Sequence, residues 1–377
     1  MMTLRARVAR SRLWPMLHKE FIQMRRDRLT LAMMIGIPAA QLMLFGYAIR
    51  TEVRHLPTVV LDESRTAESR ALVDAMANTG NFRIVGDVPD RATLERRIAS
   101  GAASAGIVIP PTFAGDLARG RTATTQVLVD AADPLASSSA IAAAAQVAAA
   151  HGARLARERG AGAPRLEVRV RPLYNPGLRS EAYIVPGIIG VLLSMTMLII
   201  TSMSVVRERE RGTLEQLIVT PIDKTSLMLG KLLPFVLVGF VQMTVVLLLG
   251  DVLFHVPARG SLLLLYAITF AFIVANLGVG LLISTVARTQ AQAMQLGYFF
   301  LLPNILLSGF MFPRAAMPEP AQWIGLLLPL TYYLRVLRGV LLKGVGASLL
   351  WGDTLVLVGF AAVLVTLSVR RFSKTIE

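Results

Sequence analysis

Long uncharged stretches divide the chain and set its expected architecture. A helix needs about 20 apolar residues to cross a hydrocarbon core roughly 30 Å thick, so the distance between consecutive charged residues is informative. Five stretches reach this length: residues 29–49, 182–206, 232–250, 260–287 and 289–313. A sixth, 349–369, contains only Asp353, close enough to one end for its carboxylate to reach the headgroups. The pattern predicts a membrane all-α bundle of six transmembrane helices.

A shorter uncharged stretch covers residues 320–334. It is too short to cross a bilayer, and it contains Pro329. We therefore expect a re-entrant or interfacial pair of short helices within 314–345. Trp323, Tyr332 and Tyr333 should lie at the depth of the lipid headgroups, where aromatic residues are enriched.

The polar segment 50–181 follows the first predicted span. Short β-rich runs (58–61, 82–85, 106–109, 126–129 and 166–170) alternate there with helical patterns (67–78, 92–100, 112–119 and 137–157). This alternation predicts an inserted α/β domain. The Ala-rich stretch 140–150 is only weakly hydrophobic, so a buried soluble helix is favoured over a seventh span.

Composition supports a membrane protein, and the charge distribution gives it an orientation. Of the 377 residues, 54% are hydrophobic and 17% charged, which is too apolar for a soluble globule. The net charge of +15 does not indicate nucleic-acid binding, because the basic residues sit beside apolar runs. They concentrate in residues 1–28, around 207–224, at 288 and in 370–377. Since positive loops remain cytoplasmic, both termini are predicted to be cytoplasmic and 50–181 extracytoplasmic.

Enzymatic chemistry is not visible in the sequence. Cysteine is absent, and the four histidines have no metal-ligand spacing. Neither a G-x-S-x-G elbow nor a Walker A loop is present. No catalytic residue, metal or directly bound cofactor is expected, and a pump of this kind would need energy from another protein.

A short segment after the second span carries the most specific pattern. Thr213 and Gln216 form a capping box, Glu215 lies in the first turn, and Pro221 ends the helix. These residues predict a helix of about two turns within 212–221. Three apolar residues share one of its faces: Leu214, Leu217 and Ile218. Either the protein's own helices, the lipid surface or a partner subunit could cover that face.

The same segment resembles the cytoplasmic loop of ABC-2 type transporter permeases. The residues that carry the resemblance are Glu210, Arg211, Gly212, Thr213, Glu215, Leu217, Thr220 and Pro221. Further similar motifs follow in family order at 288–290, at 307–313 with 317–318, and at 328–333 through 338–339 to 343–344. Residues 19–21 and 25–27, with Pro38 and 45–47, are similar to the amphipathic elbow helix and first span of the family. The large domain resembles the drug-efflux-like branch.

The resemblance implies a division of labour between subunits. Two permeases, as two copies or as paralogues, would pair in the bacterial inner membrane and work with an ABC ATPase subunit that holds ATP and magnesium. A periplasmic adaptor and an outer-membrane channel are further implied partners. The coupling residues would be Arg209, Glu210, Gly212, Thr213, Glu215, Leu217 and Pro221. The elbow helix within 1–28 would contain Trp14, Lys19, Glu20, Phe21 and Arg25.

Polar residues inside the predicted spans are candidates for a translocation path. They are Gln41, Thr196, Gln242, Asn276 and Asn304. Hydrogen bonding between helices explains each of them equally well. A path with few charges suits a hydrophobic or amphipathic substrate, either drug-like or lipid-like.

The sequence is also compatible with two other functions. Export of a lipid-linked glycan is one, although such permeases usually have short external loops, and 50–181 is long. A membrane-anchored sensor or binding module that uses the external domain is the other.

Overall fold

A mixed sheet with flanking helices forms the first part of the structure, a computed structural model that describes residues 55–159, 166–212 and 224–374. Its strands are β1 Leu56–Asp62, β2 Phe82–Asp87, β3 Ala105–Ile109, β4 Ala123–Asp130 and β5 Leu166–Leu173. Their order is β2-β1-β3-β4-β5. The β3–β4 pair is antiparallel, and the other neighbouring pairs are parallel.

Four helices cover this sheet: α1 Ala67–Asn78, α2 Arg91–Ala99, α3 Phe113–Ala118 and α4 Pro134–Arg159. Local caps start two of them. Thr66 forms a capping box with Ser69 at α1, and the Asp90 side chain accepts from the Thr93 backbone N–H at α2. We call β1–β5 with α1–α4 the sheet unit.

Helices lie on both faces of the sheet, so its central strands are buried on both sides. Val60 of β1 packs with α1, α3 and α4 on one face, whereas Val59 packs with α2 on the other. The Ala-rich helix α4 buries Ala140, Ala144 and Val147 against the first face. It is therefore a helix packed on the sheet, as the sequence predicted.

Longer, more apolar helices follow the sheet unit. They are α5 Ser180–Glu210, α6 Lys224–Phe254, α7 Leu262–Val286, α8 Gln290–Leu307 and, at the end of the described chain, α11 Ala347–Lys374. Glycine allows the closest packing among them. A Cβ at Gly280 of α7 would lie 2.7 Å from the backbone oxygen of Leu198 in α5.

The described residues account for only part of the six predicted spans. Within the ranges the structure describes, four helices are long and apolar enough to cross a membrane: α5, residues 232–254 of α6, α7, and most of α11. The predicted first span, 29–49, lies outside those ranges. The predicted fifth span becomes α8, which is not among the four. It has 18 residues, with three glutamines in its first two turns, so it is short and polar at one end.

Two short helices form the segment that the sequence predicted as re-entrant or interfacial. They are α9 Glu319–Gly325 and α10 Pro329–Arg338, and α10 continues as a π-helical turn, Gly339–Lys343. The helices before and after the break are bent by 86°. Counted as one broken span, they raise the number in the described chain to five. We call residues 319–343 the bent segment.

The aromatic residues of the bent segment occupy different environments. Trp323 is 70% exposed, which suits an interfacial position. Tyr333 differs from the interfacial position expected, because it is fully buried. Its ring stacks on Phe272 with centroids 3.9 Å apart, and its hydroxyl lies 2.8 Å from Thr269 Oγ1. Tyr333 faces the bundle because it shares the buried side of α10 with Leu330, Leu334 and Leu337.

Candidate functional site

The end of α5 leads directly into the predicted coupling helix at 212–221. The helix finishes at Glu210, and the Gly212 N–H donates to the Arg209 carbonyl at 3.2 Å. Gly212 has a φ of +68°, a conformation that glycine adopts without the Cβ penalty of other residues. The chain therefore turns sharply here. Residues 213–221 lie outside the described ranges, as do the predicted positions of Thr213, Glu215, Leu217 and Pro221.

Glu210 joins the end of α5 to the start of α8. Its Oε1 accepts from the Gln290 backbone N–H at 2.9 Å, and its Oε2 accepts from the Gln290 side-chain amide at 2.6 Å. Gln290 is the first residue of α8, where backbone N–H groups have no partner within the helix. A carboxylate at this position also interacts favourably with the positive end of the helix dipole.

Two arginines complete this contact. Arg209 Nη1 donates to the Ala287 carbonyl at 3.1 Å, immediately after α7. Arg207 Nε donates to Gln290 Oε1 at 3.3 Å. Beneath them, the buried Val206 and Ala287 pack with Ala293. We call Arg207, Arg209, Glu210, Ala287 and Gln290 the α5 end clamp, because their contacts hold together the ends of α5, α7 and α8.

Hydrogen bonds within the connection between α7 and α8 fix the start of α8. The Thr289 side chain accepts from the Gln292 backbone N–H at 3.2 Å and so caps α8. The Gln292 side chain in turn accepts from the Arg288 backbone N–H at 2.9 Å. The sequence contained this signal as a Thr-x-x-Gln capping box at 289–292, but nothing in it identified Glu210 as the partner of Gln290.

The predicted path residues do not form one cluster of mutual contacts. Gln242 Nε2 donates to Thr196 Oγ1 at 3.0 Å, which joins α6 to α5. Asn276 donates to the Phe272 carbonyl of its own helix at 2.9 Å. Asn304 is buried, and neither of its side-chain polar atoms has a partner in the described part of the chain. Gln41, like the elbow residues Trp14, Lys19, Glu20, Phe21 and Arg25, lies outside the described ranges.

These contacts favour packing for two of the polar residues. Thr196 and Gln242 satisfy one another between helices, which is the structural role weighed in the sequence. Gln242 Oε1 and both amide atoms of Asn304 remain buried without partners among the described residues. Such groups are costly in an apolar interior, so Asn304, whose two amide atoms both lack partners there, is the better candidate for contact with water, whereas Gln242 already bonds to Thr196.

Comparison with known proteins matches almost the whole chain. The family described as ABC-2 family transporter protein matches residues 28–370. The chain is 32% identical over 363 residues to the probable multidrug ABC transporter permease YbhS of Escherichia coli (strain K12), covering 95% of this chain and 96% of that protein. It is 30% identical over 349 residues to the probable multidrug ABC transporter permease YbhR of the same strain, covering 91% and 93%. The inner membrane transport permease YhhJ of that strain is 30% identical over 285 residues, covering 72% and 73%. The sequence motifs, the apolar helices and these matches together place the chain in the ABC-2 family of transporter permeases.

Proposed function

We propose that this chain is the membrane-spanning subunit of an ATP-driven exporter that moves a hydrophobic or amphipathic substrate out of the cytoplasm or the inner leaflet. ABC-2 permeases work with an ABC ATPase subunit, and that subunit would hold ATP and magnesium. The permease would act as a pair, either of two copies or with a paralogue. The names of YbhS and YbhR, which refer to multidrug transport, favour a drug-like substrate.

The α5 end clamp is the observation that carries the proposal. The predicted coupling helix begins at Gly212, two residues after Glu210. Because Glu210 and Arg209 bond to the start of α8 and the end of α7, a push on that helix would reach three helix ends together. A capped, apolar-faced helix at this position suits the transfer of a displacement from an ATPase subunit.

The proposed orientation follows from the charges. The arginines of the α5 end clamp would lie in the cytoplasm, and the sheet unit would lie in the periplasm as an inserted α/β domain. Labelling with a membrane-impermeant maleimide checks this directly, because the chain has no cysteine of its own. In intact spheroplasts, Arg91→Cys should react and Arg207→Cys should react only after permeabilisation. The reverse pattern would invert the orientation.

Recovery of the complex tests the function itself. The tagged chain, purified with the proteins encoded beside it, should bring down an ATPase subunit. In inside-out vesicles, this complex should accumulate a lipophilic fluorescent substrate only when ATP is supplied. A chain that never associates with an ATPase, or vesicles that accumulate substrate equally without ATP, would contradict the proposal.

A variant within the coupling helix sharpens that test. Leu217→Asp places a charge on the predicted apolar face, and we expect it to abolish ATP-dependent accumulation while the chain still inserts. Leu217→Met is the matched control, because it keeps an apolar side chain of similar size. Transport by Leu217→Asp equal to that of Leu217→Met would remove the coupling role from this helix.

A further inference from the structure

Lys343 joins the bent segment to the sheet unit. Its Nζ donates to Asp130 Oδ2 at the end of β4 and, at 3.2 Å, to the Ile98 carbonyl near the end of α2. The Lys343 and Asp130 side chains are only 9% and 16% exposed. These partners lie 213 and 245 positions away in the sequence, so the contact bridges two distant parts of the chain.

The surroundings of Lys343 favour a cation. The Ile98 carbonyl belongs to the last turn of α2, where the helix dipole is negative. The Tyr174 ring lies with its centroid 5.4 Å from Nζ, within the range of a cation–π contact. Burial, with smaller contributions from the nearby Asp130 and Glu95, raises the pKa of the Tyr174 hydroxyl to about 12. The sheet unit and the residue after β5 thus surround the ammonium group with a carboxylate, a carbonyl and an aromatic face.

The backbone that carries Lys343 is itself held in place. Arg259 donates its backbone N–H to the Leu341 carbonyl at 3.1 Å and its Nη1 to the Leu342 carbonyl at 3.0 Å. Those carbonyls lie towards the C-terminal end of the π-helical turn, where carbonyl groups lack partners within a helix. Leu342 is also buried with Ala132, which follows β4. An apolar contact therefore lies beside the ion pair and joins the same two regions.

A second contact ties the bent segment to the helices. Arg338 lies 3.9 Å from the centre of the Tyr183 ring and donates from both Nη atoms to the Gly309 carbonyl at 3.2 Å. The Tyr183 hydroxyl donates to the same carbonyl at 3.0 Å. Since Tyr183 lies near the start of α5 and Gly309 follows α8, the bent segment contacts both the sheet unit and the far ends of the clamped helices.

From this geometry we propose that the ion pair of Lys343 and Asp130 fixes the sheet unit to the bent segment, so that the two move as one body when the helices rearrange. We call this fixed contact the weld. Moving the two regions apart would take each of these largely shielded charges away from its partner, which is costly wherever water does not replace that partner. Movement that reaches the bent segment through the helices would therefore carry the sheet unit with it. The part of this inference that concerns movement rests on the proposed transport function, whereas the weld itself does not.

Hydrogen–deuterium exchange of the purified chain tests the weld without any transport. In Lys343→Met, Asp130 loses its partner, and we expect amides in 123–132 and 339–345 to exchange at least about a hundredfold faster than in the wild type. Arg91→Met is the matched control, because it breaks an exposed ion pair of the same sheet unit. That pair joins Arg91 to Glu95, whose side chains are 45% and 48% exposed. Its exchange should match the wild type. Unchanged exchange in Lys343→Met would refute the weld.

A reversible cross-link tests whether the contact stays closed during transport. Asp130→Cys combined with Lys343→Cys introduces two thiols into a chain that has none. A reducible bifunctional thiol reagent should link them, and ATP-driven transport should then exceed that of the unlinked double variant. Loss of transport on linking, restored by reduction, would show that the two regions must separate and would overturn the proposal. If the wild-type complex transports nothing, the proposed function fails, and the exchange experiment still decides the weld.

Discussion

The two ends of α5 are attached to the rest of the protein in different ways. At Glu210 the attachment is a set of exposed hydrogen bonds to Gln290, over a small apolar contact. Near Tyr183 the helix meets the bent segment, which holds the sheet unit through the buried pair of Lys343 and Asp130. Exposed hydrogen bonds exchange with water at small net cost, whereas a buried ion pair loses several kcal/mol when one partner is removed.

Because its two ends differ in this way, α5 can both follow a moving coupling helix at one end and carry a domain at the other. α5 has 31 residues, so its ends are about 46 Å apart along the helix axis. An end held by exposed polar contacts can break and re-form them as a coupling helix moves. An end packed against a buried ion pair is suited to carry a domain without loosening.

The largest effect is expected where the buried pair is broken. Asp130→Ala should lower the free energy of unfolding by about 3–5 kcal/mol, because it leaves the Lys343 ammonium buried without its carboxylate. Chemical denaturation of the detergent-purified chain measures this. Glu95→Ala, which breaks the exposed pair with Arg91, should change it by about 0–1 kcal/mol. Equal effects of the two substitutions would mean that burial does not distinguish these pairs.

A middle-sized effect is expected at Gly212. Among the residues that the structure describes, nothing lies within 4 Å of a Cβ placed there, so we expect a substitution to act through the φ of +68°. Gly212→Ala should destabilise the folded chain by about 1–2 kcal/mol, and Gly212→Asn by less, since asparagine tolerates this conformation better. The same denaturation assay compares the two. If both variants unfold like the wild type, the turn at Gly212 does not constrain the chain.

The smallest effect is expected in the α5 end clamp. Glu210→Ala removes two hydrogen bonds at an exposed position, and we expect it to destabilise the chain less than Gly212→Ala does. Glu210→Gln should lose less, because one amide oxygen can still accept from the Gln290 N–H. Raising the salt concentration should shrink the loss that each substitution causes relative to the wild type, because salt screens the exposed Glu210 carboxylate. A loss for Glu210→Ala as large as that for Asp130→Ala would contradict the contrast between the two ends.

Local signals in the sequence predicted much of the secondary structure. The predicted helix at 67–78 has the same bounds in the structure, where the Thr66 capping box fixes its start. The predicted strands lie within β1 to β5, because hydrophobic runs mark strands even when the ends remain undetermined. The bend of the segment after α8 followed from its length and from Pro329.

Contacts between distant residues were not predictable in the same way. No periodicity relates Asp130 to Lys343, and the motif that contains Lys343 gave no sign of a partner for it. The burial of Tyr333 depends on which face of α10 meets the bundle, and the aromatic enrichment of membrane interfaces pointed elsewhere. The predicted coupling roles of Arg209, Glu210 and residues 212–221 all stay predictions, and the α5 end clamp shows what Arg209 and Glu210 contact.

The number of substrate molecules moved per ATP hydrolysed, measured for Gly212→Pro, tests whether the segment that leaves α5 couples ATP hydrolysis to transport. Proline cannot adopt the φ of +68°, so the substitution should redirect the chain as it leaves the α5 end clamp. The measurement is made in proteoliposomes that contain the ATPase subunit. For Gly212→Pro, the number of substrate molecules moved per ATP hydrolysed should fall towards zero while ATP hydrolysis continues. Gly212→Asn is the control and should keep most of its transport. A Gly212→Pro complex that moves as much substrate per ATP as the wild type would contradict the account.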